Sequence, residues 1–222
     1  MAINKEKYTA LKAELTVSNV TLVAVSKLKP VSDIMELYDL GHRDFGENYV
    51  QELVDKSSQL PKDIRWHYIG HLQTNKVKYI APFVHLIHGV DSFKLLKEID
   101  RQAKKNNRIV RILLQVHIAQ EETKFGLDEK ELDDIINALR VDPLHNITVN
   151  GFMGMASFSN DDVKINGELA YLKSLYDKYQ QVPLQNYQPQ ILSMGMSDDY
   201  LTAIKNGSNM VRIGSLLFGR RN

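Results

Sequence analysis

The chain has 222 residues, a formal net charge of +1 and no cysteine. The absence of cysteine excludes disulfides, thiolate catalysis and zinc–cysteine sites. The near-neutral charge provides no field that favours nucleic acid or an anionic membrane surface. No apolar run has the length of a signal-peptide core or a membrane span, so we expect a cytoplasmic protein.

Short apolar runs and amphipathic segments alternate along the chain. Short runs rich in β-branched residues are typical of buried strands, whereas apolar residues three and four positions apart predict helices. The predicted strands are Leu22–Ser26, Asp44–Gly46, Arg65–Gly70, Val84–Gly89, Ile109–Ile118, Ile147–Met153, Gln190–Met194 and Met210–Gly214. The predicted helices are Asn4–Leu15, Asp33–Leu40 with Ser32 as its cap, Tyr49–Ser58, Thr74–Ile80, Ser92 to about Lys105, Asp128–Leu139, Gly167–Tyr179 and Ser197–Asn206.

This alternation predicts an α/β fold, a single (β/α)8 TIM barrel over residues 1–222, with an extra helix before the first strand. An open, doubly wound sheet is the alternative. No linker separates a second domain, and we expect no C-terminal β-domain because the chain ends soon after the eighth predicted strand. In such a barrel the functional groups lie at the carboxyl ends of the strands, and the residues at those ends are the candidates for a site.

Lys27 directly follows the buried strand that begins at Leu22. An ammonium group is costly to desolvate, and both desolvation and the neighbouring positive charge of Lys29 favour the neutral, nucleophilic amine. The simpler alternative is a lysine that ends the strand and extends into water.

Two glycine-containing turns follow the last two predicted strands. Ser197 stands where a helix cap would stand, and free backbone amides there favour an anion. The carboxylates of Asp198 and Asp199 would repel a phosphate, so they must point away if the site exists. Ser197 as a plain helix cap is the alternative.

Arg212 lies within the apolar eighth strand, and Gly214 and Ser215 come next. A guanidinium keeps its charge and therefore needs a partner, and the following turn can offer backbone amides to an anion. A buried ion pair, or an outward-pointing side chain, is the alternative for Arg212. A lysine for an imine, a phosphate-binding turn and an arginine for a ring nitrogen together are the parts of a pyridoxal phosphate site.

Five segments, VAVSKLKP, FGENYVQEL, WHYIGHLQTNK, LSMGMSDDY and MVRIGSLLFG, resemble in order the signatures of the pyridoxal phosphate homeostasis proteins. These proteins share the fold-type III barrel of the alanine racemase N-terminal domain. The resemblance implies that Lys27 carries the pyridoxal 5′-phosphate as an imine. It also implies phosphate contacts from Ser197, Gly214 and Ser215, a ring-nitrogen contact from Arg212, and a pocket lined by Asn48 and Met194.

Two segments depart from the family pattern, GFMGMASF after the sixth strand and His71 before LQTNK. They leave the expected cofactor contacts intact but affect the rim of the pocket. The polar loop EETKFG, residues 121–126, is predicted at the carboxyl end of the barrel, where it would cover a ligand.

Racemisation needs a second acid or base on the far side of the substrate, and the racemases take it from a C-terminal domain that we do not expect here. A charged Arg212 also disfavours protonation of the ring nitrogen. We therefore predict a non-catalytic carrier of pyridoxal phosphate. The resemblance implies a role in vitamin B6 and amino-acid homeostasis, with pyridoxal phosphate-dependent apo-enzymes as partners.

A weak racemase that uses Lys27, and a barrel without cofactor, are the competing hypotheses. We expect a monomer, because the racemases dimerise partly through their second domain. We expect no metal site, because the spacing of His85 and His88 on one strand predicts opposite orientations.

Overall fold

The computed structural model describes residues 3–119 and 125–219. Eight parallel strands close into a barrel, in which each strand pairs with the next and β8 pairs with β1. The strands are β1 Thr21–Val25, β2 Asp44–Glu47, β3 Arg65–Tyr68, β4 Leu86–Val90, β5 Val110–Gln115, β6 Ile147–Met153, β7 Tyr187–Ser193 and β8 Met210–Ile213. The predicted barrel is confirmed, and the open sheet is wrong.

Helices follow the strands on the outside of the barrel, and one helix precedes β1. They are α1 Lys5–Val17, α2 Val31–Asp39, α3 Val50–Gln59, α4 Val77–Ile80 after a 3₁₀ turn Thr74–Lys76, α5 Phe93–Lys105, α6 Glu129–Val141, α7 Asp162–Tyr179, α8 Tyr200–Lys205 and α9 Ser215–Phe218. The predicted N-terminal helix is therefore confirmed as α1. Among the described residues, no helix is both long and apolar enough to cross a membrane.

Of the helix caps predicted for α2 and α5, one is confirmed and the other is wrong. Ser92 caps α5 as predicted, because its side chain accepts from the backbone of Leu95 at 3.3 Å. The predicted cap Ser32 is wrong, since α2 begins at Val31, two residues earlier than predicted, and Pro30 occupies the cap position. Proline is restricted to φ of about −65°, and Pro30 has the extended backbone typical of a cap residue, with φ of −68° and ψ of 160°.

Seven strands differ from their predicted bounds, most of them by one or two residues at an end, and β5 and β7 differ most. β6 is as predicted, but β5 ends at Gln115 although the apolar run continues to Ile118. Val116 and Ile118 are buried outside the strand, and Val116 forms an isolated bridge with Leu127. β7 begins at Tyr187, three residues earlier than predicted, where exposed and buried side chains still alternate.

The apolar residues form two separate cores. We call the larger one the shell; it fills the space between strands and helices and includes fully buried Leu22, Phe45, Phe152 and Leu172. The smaller one lies inside the barrel, which we call the bore, and comprises Val23, Leu86, Leu113, Met153 and Met210. Alternation along each strand sends neighbouring side chains to the two cores in turn.

Candidate functional site

A cavity of about 400 Å³ opens at the carboxyl ends of β1 and β8. Its lining residues come from the end of β1 and the loop after it, from the segments that follow β6, β7 and β8, and from both ends of α9: Val25, Lys27, Lys29, Phe158, Asp198, Gly214, Ser215 and Gly219. The structure thus brings together Lys27, Gly214 and Ser215, which lie nearly 190 positions apart in the sequence (214 − 27 = 187). We call this space the Lys27 cavity.

The loop that carries Lys27 is held by the backbone on both sides. Ser26 N donates to Gly46 O on β2 at 3.0 Å, and Lys29 N donates to Ser26 O at 3.0 Å. Between them, Leu28 adopts a left-handed conformation with φ of 60°, which is unusual for this residue type. Leu28 N donates to the Glu52 carboxylate at 2.6 Å, so α3 stabilises the strained residue next to Lys27.

A buried charged cluster lies under this loop, between the ends of β1 and β2 and helix α3. Lys56 Nζ donates to Ser26 O at 2.7 Å, to Glu47 Oε1 at 2.8 Å and to Glu52 Oε1 at 2.7 Å. Ser26 Oγ also donates to Glu47 Oε1, at 2.6 Å. One ammonium therefore binds two carboxylates and the backbone carbonyl that precedes Lys27. We call these residues the Lys56 cluster.

Burial raises the pKa of the Glu47 carboxyl above its ordinary value, although Lys56 and Ser26 favour its ionised form. Glu47 Oε2 and Glu52 Oε2 are buried without a hydrogen-bond partner among the described residues. Sequence reasoning missed this cluster. Its only local signal was Glu52 four residues before Lys56 on one helix face, and nothing local places Glu47 beside them.

Gly214 lies where the end of β8 approaches β1 closely. A Cβ at this position would stand 3.2 Å from Val25 O and 3.3 Å from Val25 Cβ, which is tighter than ordinary packing. The glycine therefore keeps room at the cavity wall, and α9 begins at the next residue, Ser215. Lys29 Nζ donates to Phe218 O at 2.8 Å, which joins the Lys27 loop to α9.

Ser197 does not cap a helix, so that expectation is wrong. It lies in a turn, and α8 begins at Tyr200 with Asp199 in the cap position. Asp199 Oδ1 instead accepts from Met196 N at 2.6 Å and so shapes the turn. Ser197 is not among the lining residues, although its neighbour Asp198 is.

Asp198 lines the Lys27 cavity, and the expectation that its carboxylate points away from a bound phosphate stays a prediction. Lys27 and Lys29 line the same cavity, so its lining contains two lysines and one aspartate. The cavity as a whole still suits an anion.

Arg212 is buried and points into the bore. Its Nη1 donates to Ser193 O at 2.9 Å and to Ser193 Oγ at 2.7 Å, and its Nη2 donates to Gly154 O at 3.0 Å. No carboxylate of the described residues lies within ion-pair distance, so the predicted alternatives of an ion pair and an outward side chain are both wrong. Burial lowers the pKa of Arg212 to about 10, and the guanidinium remains charged at neutral pH.

Two further predicted residues lie outside the lining of the Lys27 cavity. Met194 is fully buried and packs in the shell. Asn48 lines another cavity, of about 700 Å³, with Tyr68, His71 and Lys76. Asn48 Oδ1 is buried, and no donor in the described part of the chain bonds to it. Their contact with a ligand stays a prediction.

The rim residue that departs from the family pattern has clear contacts. The His71 ring stacks on Phe125 with centroids 4.0 Å apart, and its Nδ1 lies 3.1 Å from Asp91 Oδ2. Residues 121–124 of the loop predicted to cover a ligand lie outside the described residues.

The histidines of β3 and β4 are arranged differently from the prediction. His85 precedes β4, and its ring and that of His88 both pack against His67, with centroids 5.4 and 5.2 Å away. The predicted opposite orientation is wrong, because His85 lies outside the strand and does not follow its alternation. In the described part of the chain, no three histidine or carboxylate side chains are grouped to hold a metal ion.

Comparison with known proteins places the barrel among its relatives. The family model of the alanine racemase N-terminal domain matches residues 5–222, which together with the closed barrel defines an alanine racemase-type barrel. The pyridoxal phosphate homeostasis protein of Haemophilus influenzae is 36% identical, over 99% of this chain and 93% of that protein. The protein of the same name from Aquifex aeolicus is 39% identical, over 90% of this chain and 86% of its own length. The chain belongs to the pyridoxal phosphate homeostasis protein family, which confirms the resemblance seen in its motifs.

Solved structures agree with this assignment. PipY of Synechococcus elongatus, in the structure with PLP bound, aligns with a TM-score of 0.87 and 33% identity, over 96% of this chain and 99% of that chain. Alanine racemase of Streptomyces coelicolor aligns with a TM-score of 0.76 but only 17% identity, over 96% of this chain and 58% of that chain. The racemase therefore shares the fold alone.

Proposed function

We propose that this protein holds pyridoxal 5′-phosphate on Lys27 and releases it again, as a carrier in vitamin B6 and amino-acid homeostasis. The observation that carries the proposal is the Lys27 cavity, in which the predicted nucleophile and the predicted phosphate-binding turn face the same space. The homeostasis-protein names of the relatives and the PLP-bound structure of PipY support it.

The residues of the cavity fit the cofactor in size and charge. A space of about 400 Å³ is within the range of small-molecule sites, and Lys27 and Lys29 give it a positive lining. When bound, the cofactor supplies an aldehyde that condenses with an amine and loses water. In this proposal Lys27 provides the amine; Ser197, Gly214 and Ser215 bind the phosphate; Arg212 donates to the ring nitrogen; Asn48 and Met194 contact the ring.

The charge on Arg212 favours holding the cofactor over turning over a substrate. A permanent cation at the ring nitrogen disfavours its protonation, and an unprotonated ring withdraws electrons less effectively. Among the described residues that line the Lys27 cavity, the titratable side chains are Lys27, Lys29 and Asp198. The lining thus offers no tyrosine or histidine as the second acid or base of a racemase.

Absorbance of the purified protein tests cofactor binding. We expect a visible band after addition of pyridoxal phosphate, lost in Lys27→Ala and retained in Lys29→Ala. The second variant is the matched control, because Lys29 lies on the same loop and lines the same cavity. Borohydride reduction followed by peptide mass spectrometry should place the added mass on Lys27. Wild-type protein that stays colourless with excess cofactor would leave the cofactor-free barrel as the better hypothesis.

Deuterium exchange separates a carrier from a weak racemase. The loaded protein is incubated in D2O with each of the twenty amino acids, and Cα–H loss is followed by NMR. We expect no exchange above that of free cofactor. Rapid exchange for one amino acid, abolished in Lys27→Ala, would instead establish the racemase.

We further infer a cytoplasmic monomer that delivers its cofactor to pyridoxal phosphate-dependent apo-enzymes. Light scattering should give a mass near 25.4 kDa. Direct delivery predicts that an apo-enzyme is activated by the loaded protein even when a scavenger removes free cofactor from solution. Activation that the scavenger abolishes would indicate release into solution instead.

A further inference from the structure

A continuous chain of hydrogen bonds runs through the bore from Arg212 toward the opposite end of the barrel. Arg212 Nη1 contacts Ser193 Oγ at 2.7 Å, Ser193 Oγ contacts His88 Nδ1 at 3.2 Å, and His88 Nε2 contacts His67 Nδ1 at 2.9 Å. His67 Nε2 then contacts Asp44 Oδ1 at 3.1 Å. Five side chains from β8, β7, β4, β3 and β2 thus form one line, and all five residues are buried. We call it the bore chain.

The two ends fix the direction of every bond. A guanidinium only donates, and an ionised carboxylate only accepts. Asp44 is ionised, because Arg65 binds both of its oxygens, at 2.7 and 2.5 Å, and together with His67 holds its pKa well below the ordinary range despite burial.

Burial lowers the pKa of His67 and of His88, so both rings are neutral. Neutral rings satisfy the four bonds in one arrangement only. His67 donates from Nε2 to Asp44 and accepts at Nδ1 from His88 Nε2. His88 accepts at Nδ1 from the Ser193 hydroxyl, and Ser193 Oγ accepts from Arg212. Both histidines are therefore Nε2–H tautomers, and every donor points away from Arg212.

This direction matters because the described residues give Arg212 no carboxylate partner. Its charge is solvated instead by two carbonyls and by the aligned dipoles of the bore chain, which end at an anion. A buried charge that lost one of these acceptors would be left less satisfied or would move. The other charged and titratable groups around the Asp44 end of the bore chain are Arg65, Arg111 and His85. None of them bonds to Arg212.

We propose that Ser193, His88 and His67 are positioning residues for Arg212, which fix its guanidinium where the ring nitrogen of the cofactor would bind. This role rests on the proposed function. Within the bore chain, the Ser193 hydroxyl contacts Arg212 directly. It is also the group that a substitution removes with least disturbance, because alanine has nearly the same shape as serine. Without it, Arg212 loses one acceptor and His88 loses its donor.

Ser193→Ala is compared with Ser208→Ala. Ser208 is also buried, and its hydroxyl bonds to strand carbonyls, including Met194 O at 2.7 Å, outside the bore chain. Absorbance titration should show cofactor affinity roughly tenfold weaker in Ser193→Ala, the usual effect of losing one hydrogen bond to a charged group. Ser208→Ala should bind like wild type, and Ser193→Thr, which keeps the hydroxyl, should recover most of the loss.

Ring ¹⁵N NMR without cofactor is the second readout. We expect His67 and His88 as Nε2–H tautomers at pH 8, and a changed His88 signal in Ser193→Ala but not in Ser208→Ala. An Nδ1–H tautomer of either ring would overturn the assigned chain. Equal affinity of wild type and Ser193→Ala, or equal loss in both serine variants, would overturn the positioning role while leaving the carrier function. Wild type that binds no cofactor would overturn both.

Discussion

The shell and the bore are both buried, but they bury different kinds of side chain, and burial therefore has different energetic consequences in the two regions. The shell is mainly apolar and packs the strands against the helices through residues such as Phe152 and Leu172. The bore holds five buried apolar side chains beside a chain of five polar ones. In the shell, burial itself is the stabilising contribution, since apolar surface leaves water.

In the bore and in the Lys56 cluster, burial is unfavourable unless every polar atom has a partner. The benefit of such groups is orientation, because each has few arrangements that satisfy all its bonds. The shell therefore stabilises the barrel, while the buried polar groups place Arg212 and the Lys27 loop. A second substitution that removes an uncompensated charge should therefore restore stability lost in the buried polar groups, but not stability lost in the shell.

The largest effect is expected for Lys56→Met in the Lys56 cluster. It leaves the carboxylates of Glu47 and Glu52 buried without their cation, which should lower the free energy of unfolding by about 3–5 kcal/mol. Urea denaturation measures it. The control is Lys178→Met, whose exposed ion pair with Glu129 at 2.8 Å should contribute less than about 1 kcal/mol.

A partial rescue sharpens this test. Adding Glu47→Gln to Lys56→Met removes one of the two uncompensated charges and should recover part of the lost stability. If Lys56→Met alone lowers the free energy of unfolding no more than Lys178→Met does, then the Lys56 cluster is not a buried charged unit. The contrast between the apolar shell and the buried polar groups would then not hold for this cluster.

In the shell, Leu172→Ala on α7 should lower the free energy of unfolding by about 2–5 kcal/mol, because it removes apolar surface and leaves a cavity. Leu201→Ala on α8 is the matched control, since that side chain is half exposed and should contribute less than about 1 kcal/mol. Equal losses in the two urea denaturation curves would contradict the assignment of Leu172 to a closely packed shell. Unlike the Lys56 variant, no nearby charge change should rescue Leu172→Ala.

The smallest effect per group is a pH dependence from the buried histidines His42, His67 and His88. Burial lowers the pKa of each below the ordinary 6.5, to about 4 for His42. The unfolded chain then binds more protons, so stability is full above pH 6.5 and falls as the pH drops toward 4. Between its folded pKa of about 4 and the ordinary 6.5, His42 contributes a slope of about 1.4 kcal/mol per pH unit, and His67 and His88 contribute in the same direction.

Urea denaturation at pH 7.5, 6 and 5 measures this slope. Glu47 acts in the opposite direction, because its raised pKa favours the folded state as the pH falls. Three histidines outweigh this one carboxyl, so the net change is a loss. His42→Gln should reduce the pH dependence of stability by the contribution of one proton and leave the bore chain intact. A flat profile would show that the histidines accept protons in the folded state.

The architecture was largely predictable because it depends on local patterns. The bounds of β6 were predicted to the residue, and Ser92 was identified as the cap of α5 from a serine before an amphipathic run. The predictions were wrong where one sequence pattern fits two local structures. Ser197 before two aspartates is typical of a helix start, but here the turn continues to Asp199, whose side chain binds the backbone of Met196.

The site was predictable only in part. Because strand ends meet at one edge of a barrel, Lys27, Gly214 and Ser215 were expected together, and they line one cavity. The partners of Arg212 were not predicted. Ser193 and His88 come from other strands, and the choice between them and a carboxylate depends on which side chains share one level of the bore.

By itself the sequence determined the barrel, its order of strands and helices, and the family to which the chain belongs, since these follow from periodicity and from motifs contiguous in the chain. The tertiary structure decided which buried charges are compensated and by what. Asp44, His67, His88, Ser193 and Arg212 share no local pattern. They meet because a closed barrel of fixed register directs inward-facing residues of different strands into one bore, where each comes within hydrogen-bonding distance of the next.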